Sequence, residues 1–121
     1  MKKILLVDDE VALTRMMKLV LERTGKYEVY TENSGARAIA AARSFHPDII
    51  FLDIMMPEVS GDIIAQDLRE DKELADIPVV FLTAIVSKRE TSKSGSVIGG
   101  NRFLAKPVKA DDLLKVIEEL T

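Results

Sequence analysis

The sequence predicts one α/β domain built on a doubly wound, five-stranded parallel sheet with helices on both faces. Two patterns predict it. Short apolar runs, each closed by a polar or charged residue, alternate five times with segments whose apolar residues recur at helical spacing, and such alternation implies parallel strands joined by right-handed crossovers. The 121 residues, 47% hydrophobic and 31% charged, are an ordinary globular mixture. A chain of that length fits a single domain, taken here as residues 1–121, able to bury roughly two-thirds of its unfolded surface.

The first run, Ile4-Leu5-Leu6-Val7, stops at Asp8-Asp9-Glu10. Leu13, Met16, Met17, Val20 and Leu21 then recur at helical spacing, Gly25 supplies a stop, and the methionines are expected to fill core. Residues 27–30 read as a short β-prone strand, followed by a loop whose Ser34 is placed to cap an alanine-rich helix over residues 36–43. The single histidine, His46, precedes Pro47 between helix and strand, which marks a surface position rather than a metal ligand or phosphorelay base.

The central stretch is Ile49-Ile50-Phe51-Leu52-Asp53, an apolar run bounded by breakers and ending in one carboxylate. Such a run reads as a strand buried on both faces; Pro57 and Gly61 stop it, and Ser60 is placed to cap a following helix. Ile63, Ile64 and Leu68 mark that helix, and the charged run over residues 69–73 reads as a solvated face. Residues 78–83 form the next strand, with Pro78 first, where a missing amide does least harm, and Thr83 last. Residues 87–96 carry capping-box spacing but no large apolar stripe, so any helix there is weakly anchored. Gly99-Gly100 leads into a fifth strand over residues 101–105, closed by Lys106-Pro107. Leu113, Leu114, Val116, Ile117 and Leu120 form the last helix, with Asp111 and Asp112 near its positive amino end.

In a parallel sheet the strand ends bearing Asp8-Asp9, Asp53, Thr83 and Lys106 share one edge, where ligands bind because the connecting loops leave a crevice. Carboxylates crowded there repel one another and need a compensating cation. Oxygen-only donors favour a hard ion, magnesium or manganese, and magnesium also accepts phosphate oxygens. Phosphoryl transfer needs charge neutralisation and alignment more than covalent help, and an aspartate can itself be the acceptor. Asp53 is then the nucleophile, Lys106 a compact charge for a phosphate oxygen, and Thr83 a hydroxyl donor to another. Taken singly, these residues also fit a turn-closing aspartate, a structural Lys-Asp pair and a capping threonine.

At these residues the chain closely resembles the receiver domain of two-component response regulators. The motifs are Asp8-Asp9 after the first strand, Asp53-Ile54-Met55-Met56-Pro57 with Gly61 following, Thr83-Ala84 after the fourth strand and Lys106-Pro107 after the fifth. The resemblance implies strand order 2-1-3-4-5, the flavodoxin-like winding. It implies that a histidine kinase or phosphotransfer domain donates from phosphohistidine to Asp53. The Mg2+ would rest on Asp9, Asp53 and the backbone carbonyl of Met55, with Asp8 acting mainly through water. It further implies a cis Lys106-Pro107 bond and a switch in which Thr83 moves toward the phosphate and Phe103 swings inward. Downstream it implies an effector protein or an output domain beyond the last helix.

Three features depart from the commoner family pattern: residues 87–100 lack an apolar stripe, Phe103 stands where tyrosine is frequent, and Val108 stands where phenylalanine often follows Lys-Pro. They place the partner surface, not the phosphorylation site, in question. Residues 91–100 are expected to form a short or mobile helix before phosphorylation. Met55 and Ile85, each two positions after a site residue, are expected to hinder water and prolong the phosphorylated state.

Composition narrows the alternatives. The absence of cysteine excludes disulfides and thiol chemistry and fits a reducing cytoplasm, and the apolar start is interrupted too early for a signal peptide. The net charge of -3 gives no electrostatic reason to approach nucleic acid, and no apolar run approaches the roughly twenty residues a bilayer needs. No room is expected after the domain for a separate DNA-reading module. The chain reads equally as a stand-alone regulator or as a receiver from a longer protein, and phosphorylation-dependent dimerisation through its last helices is not legible. A receiver-like docking module that is never phosphorylated is the competing class. A flavodoxin-like electron carrier would need a phosphate-cradling loop where Asp8-Asp9-Glu10 stands, and a first-strand aspartate phosphatase would carry Asp-x-Asp rather than adjacent acids.

Overall fold

A computed structural model of the chain describes residues 1–84, 96–98 and 101–121. Its strands are β1 (Lys2–Val7), β2 (Tyr27–Glu32), β3 (Ile49–Asp53), β4 (Val79–Thr83), β5 (Ser96–Ile98) and β6 (Asn101–Ala105). Its helices are α1 (Val11–Glu22), α2 (Ala38–Phe45), α3 (Gly61–Glu70) and α4 (Ala110–Leu120). Neighbouring strands run β2-β1-β3-β4-β6-β5. The pairs among β2, β1, β3, β4 and β6 are parallel, which is the predicted 2-1-3-4-5 winding.

The sheet carries one strand more than the sequence reading foresaw. β5 pairs antiparallel with β6, Ile98 facing Asn101. Residues 96–98 thus form a strand and not part of a fourth helix. Val97 and Ile98 are β-branched, and the Gly99-Gly100 pair between the facing residues is a composition that two-residue hairpin turns favour, a local signal that the five-fold alternation masked. The expectations placed on residues 85–95 and 99–100, Ile85 among them, lie outside the described residues.

Alternation along the strands builds two cores. Ile4 and Leu6, Ile49 and Phe51, Val80 and Leu82 pack with Met17 and Leu21 of α1 and Leu113, Val116 and Ile117 of α4. Leu5 and Val7, Ile50 and Leu52, and Phe81 pack on the other face with Ala38, Ala41 and Ala42 of α2 and Ile64, Ala65 and Leu68 of α3. Helix-covered faces on both sides explain why β3 reads as a continuous apolar run rather than an alternating one.

Several local expectations are corrected. Met17 fills core, but Met16 is exposed: helical spacing placed both near the buried stripe, and the α1 surface turns away at Met16. Ile63 is likewise exposed while Ile64 and Leu68 are buried. Ser34 does not cap α2; a 3-10 turn (Gly35–Arg37) intervenes, and the Ser34 hydroxyl donates to Glu58 at 3.0 Å. Ser60 holds the N-cap position of α3, but its hydroxyl goes to the Ile54 carbonyl and the Asp62 carboxylate rather than to helix amides. Asp71, inside the charged run, pairs with Arg43 at 2.6 Å and so ties α2 to the end of α3. His46 is exposed as expected; it ends α2 in the left-handed conformation, φ 52°.

Candidate functional site

The carboxyl ends of β1 and β3 lie side by side at the point where the winding reverses, since Val7 faces Leu52 in the parallel register. Asp8 follows the first and Asp53 ends the second. The register continues: Asp53 faces Leu82, Thr83 faces Ala105, and the Lys106 amide donates to the Thr83 carbonyl at 2.9 Å. Four strand ends therefore deliver Asp8, Asp53, Thr83 and Lys106 to one edge. Asp8, Asp53 and Thr83 are buried and Asp9 is exposed.

Two of the acids are fixed by the turns that follow them. The Glu10 amide donates to Oδ1 of Asp8 at 3.0 Å, and the Met55 amide donates to Oδ1 of Asp53 at 3.1 Å. In each case the carboxylate closes its own turn two residues on, a habit of aspartate. The two remaining oxygens face Lys106, whose Nζ stands 2.8 Å from Oδ2 of Asp8 and 3.5 Å from Oδ2 of Asp53. The Lys106-Pro107 bond is cis.

Gly61 backs the site. A Cβ there would fall 2.3 Å from the Asp53 carbonyl oxygen and 2.8 Å from the Ile54 Cα, so only glycine lets α3 begin this close to β3. The Gly61 amide donates to the Ile54 carbonyl at 2.8 Å, closing the loop that carries Met55.

The electrostatics follow from this crowding. Burial, reinforced by the neighbouring Asp8 charge, pushes the Asp53 carboxyl up to about 6 despite the Met55 amide and Lys106. For Lys106 burial acts to lower the ammonium, but the Asp8 and Glu10 carboxylates outweigh it and push it up to about 12. Lys106 is therefore a permanent cation.

Carboxylate oxygens of Asp8, Asp9 and Asp53 lie within 4.8 Å of one another. Oδ2 of Asp8 is buried and, its close ion pair with Lys106 apart, accepts no aligned hydrogen bond. A buried carboxylate oxygen without an aligned donor, beside two further carboxylates and no nitrogen or sulfur donor, fits a hard divalent cation.

Every site residue singled out from the sequence except Phe103 thus converges on this edge. Phe103 lies on β6, beside Phe81 of β4 in the register, with ring centroids 5.3 Å apart; it is half-buried. Met55 contributes its backbone while its side chain is exposed. Two residues escaped the sequence reading. Glu10 pairs with Lys106 at 3.1 Å, and Asn33 donates to the Asp8 carbonyl at 2.8 Å and to the Thr14 hydroxyl at 2.9 Å. Glu10 stood in the acidic triplet and could have been found by asking what neutralises Lys106; a lone loop asparagine gives no signal.

Comparison with known proteins agrees with this geometry. Residues 4–118 match the response regulator receiver domain family. The chain is 35% identical over 120 residues to the DNA-binding dual master transcriptional regulator RpaA of Synechocystis sp., covering 99% of this chain and 49% of that protein. It is 33% identical over 119 residues to the polar-differentiation response regulator DivK of Brucella ovis, covering 97% of this chain and 94% of that protein. It thus spans about half the length of the first of these relatives and nearly all of the second. Among solved structures, the chemotaxis protein CheY4 of Vibrio cholerae superposes with a TM-score of 0.83 at 29% identity, covering 100% of this chain and 99% of that one.

Proposed function

The chain belongs to the response regulator receiver domain family, and we propose that residues 1–121 form one receiver domain whose Asp53 accepts a phosphoryl group from a sensor histidine kinase or phosphotransfer domain. Membership itself establishes phosphorylation-based signalling in general terms: a signalling domain rather than a conventional enzyme, whose family works with histidine kinases and effectors. The observation that carries the finer reading is the disposition of Lys106, an ammonium 2.8 Å from buried Asp8 and 3.5 Å from buried Asp53.

In the reaction an Asp53 carboxylate oxygen attacks the phosphorus of a phosphoimidazole. A P–O bond forms, the P–N bond breaks, and its electron pair leaves with the imidazole nitrogen. The Met55 amide on Oδ1 fixes the carboxylate plane, so that the attacking oxygen is presented at a constant angle. Lys106 lies where it can neutralise charge growing on the transferred group, and Thr83, one register step away on β4, offers its hydroxyl to the new phosphoryl. A divalent ion, Mg2+ or Mn2+, held by Asp8, Asp9, Asp53 and the Met55 carbonyl would supply the charge shielding that lets an anionic donor approach.

The output follows from the neighbours of the acceptor. Thr83 drawn toward the phosphoryl leaves space that Phe103, half-buried against Phe81, is placed to enter, altering the surface offered to an effector or a further output domain. The reading locates the domain in the cytoplasm, with no direct nucleic-acid contact and with phosphorylation-dependent dimerisation as one form of output. Among the described residues no helix is long and apolar enough to cross a membrane.

Intact-mass measurement after incubation with acetyl phosphate and Mg2+ tests the acceptor. Wild type gains one phosphoryl mass and Asp53→Asn gains none. Equal adducts on both would move the acceptor elsewhere, and no adduct on either would favour a docking module that is never phosphorylated.

A further inference from the structure

We infer that Glu10 is a positioning residue that covers the outer face of Lys106 before phosphorylation and competes with an incoming phosphoryl group for that ammonium. The inference rests on Asp53 being the acceptor. It begins with donors and acceptors: an ammonium has three N–H groups, and three carboxylates surround this one, Asp8 at 2.8 Å, Glu10 at 3.1 Å and Asp53 at 3.5 Å. The aligned hydrogen bond of Lys106 goes to Glu10, whereas Asp8 pairs with it by charge alone, so a phosphoryl oxygen that takes that aligned donor displaces Glu10.

Burial decides which. Asp8 is fully buried, so it cannot turn to water on parting from Lys106. Asp53 is buried too and is the attacking group. Glu10 alone has an exposed side chain, 60% accessible, so water replaces the lysine when it swings away, and an ion pair of that kind is weak.

The local backbone points the same way. Glu10 occupies the N-cap position of α1, yet its side chain makes no capping bond and turns to Lys106 instead. Its amide is held by Asp8, so the main chain stays fixed while the carboxylate moves. A charge at the rim of the crevice also repels an anionic donor as it arrives. Competition for Lys106 and repulsion act in one direction: Glu10 slows phosphorylation by free anionic donors.

The test follows adduct formation by intact mass on the full chain at saturating Mg2+, using acetyl phosphate and the less negatively charged phosphoramidate. Glu10→Gln, which keeps size and loses charge, should raise the rate with acetyl phosphate about fivefold, the effect of one partly screened charge at short range, and the rate with phosphoramidate by about twofold. Glu10→Ala should repeat the pattern, and 0.5 M KCl should shrink both gains. A merely structural role for Glu10 would move both donors equally and leave the change untouched by 0.5 M KCl. Equal or slower rates with both donors, with Asp53→Asn still taking no adduct, would overturn the role of Glu10 and leave the acceptor standing. An adduct surviving on Asp53→Asn would overturn the acceptor, and the inference with it.

Discussion

Ile50 and Asp53 sit three residues apart on β3, both buried, and burial acts on them with opposite sign. At Ile50 and its neighbours each apolar side chain removed from water stabilises the fold by about 1.5 to 3 kcal/mol. At Asp53 the same dryness raises the carboxyl to about 6, a cost that Lys106 only partly offsets. The strand middle is thus the source of stability and the strand end spends it. The site is preorganised because the core beneath it is tight enough to hold charges where water would otherwise disperse them.

The contrast is broken most severely in the middle of the strand. Phe51→Ala, at a fully buried ring, should lower unfolding free energy by about 3 to 5 kcal/mol in a urea titration, because the two packed faces have little freedom to collapse into the cavity. A loss under about 1 kcal/mol would mean the core is not the site's support.

Next comes the cation at the rim. Lys106→Met in metal-free buffer should cost about 2 to 4 kcal/mol, since it leaves Asp8 and Asp53 buried without a counter-charge. Adding Asp53→Asn to that variant should recover part of the loss, and strictly additive effects would show that the two groups do not interact.

The smallest effect has the sharpest sign. Because the folded Asp53 carboxyl titrates near 6, above its ordinary 3.8, folding takes up a proton between those values. The contribution of Asp53 to stability is therefore present below about pH 4 and lost as pH rises through 6. Asp53→Asn should stabilise the metal-free protein by about 1 to 3 kcal/mol at pH 7.5, and the gain should fade on acidification and vanish near pH 4. Thermal unfolding at the two pH values measures it; a gain independent of pH would assign it to something other than the buried charge.

Much of this was legible in the chain. Ile49 through Leu52 read as a strand buried on both faces, the strand–helix alternation implied a parallel sheet, and parallel strands place their closing residues on one edge, so Asp8, Asp53, Thr83 and Lys106 were found without coordinates. β5 was not read, because three residues beside a Gly-Gly pair carry too little periodicity to stand against a five-fold alternation. Met16 and Ile63 were misplaced because helical spacing gives the stripe to within a residue, while the facing element decides which residue it covers. Glu10 was passed over as a partner because it stands at the start of α1 rather than at a strand end, so the shared-edge argument that gathered Asp8 and Lys106 did not place its side chain.

By itself the sequence determined the strand–helix alternation, the acids and the ammonium, because periodicity and strand-closing residues are local properties that survive in one dimension, while the strand order came from the family resemblance. Only the tertiary structure decided which charge meets which: that Lys106 touches Asp8 more closely than Asp53, that Glu10 covers its outer face, and that Gly61 has no room for a Cβ. Those are distances across the fold, fixed by register and burial together, and no local pattern encodes them.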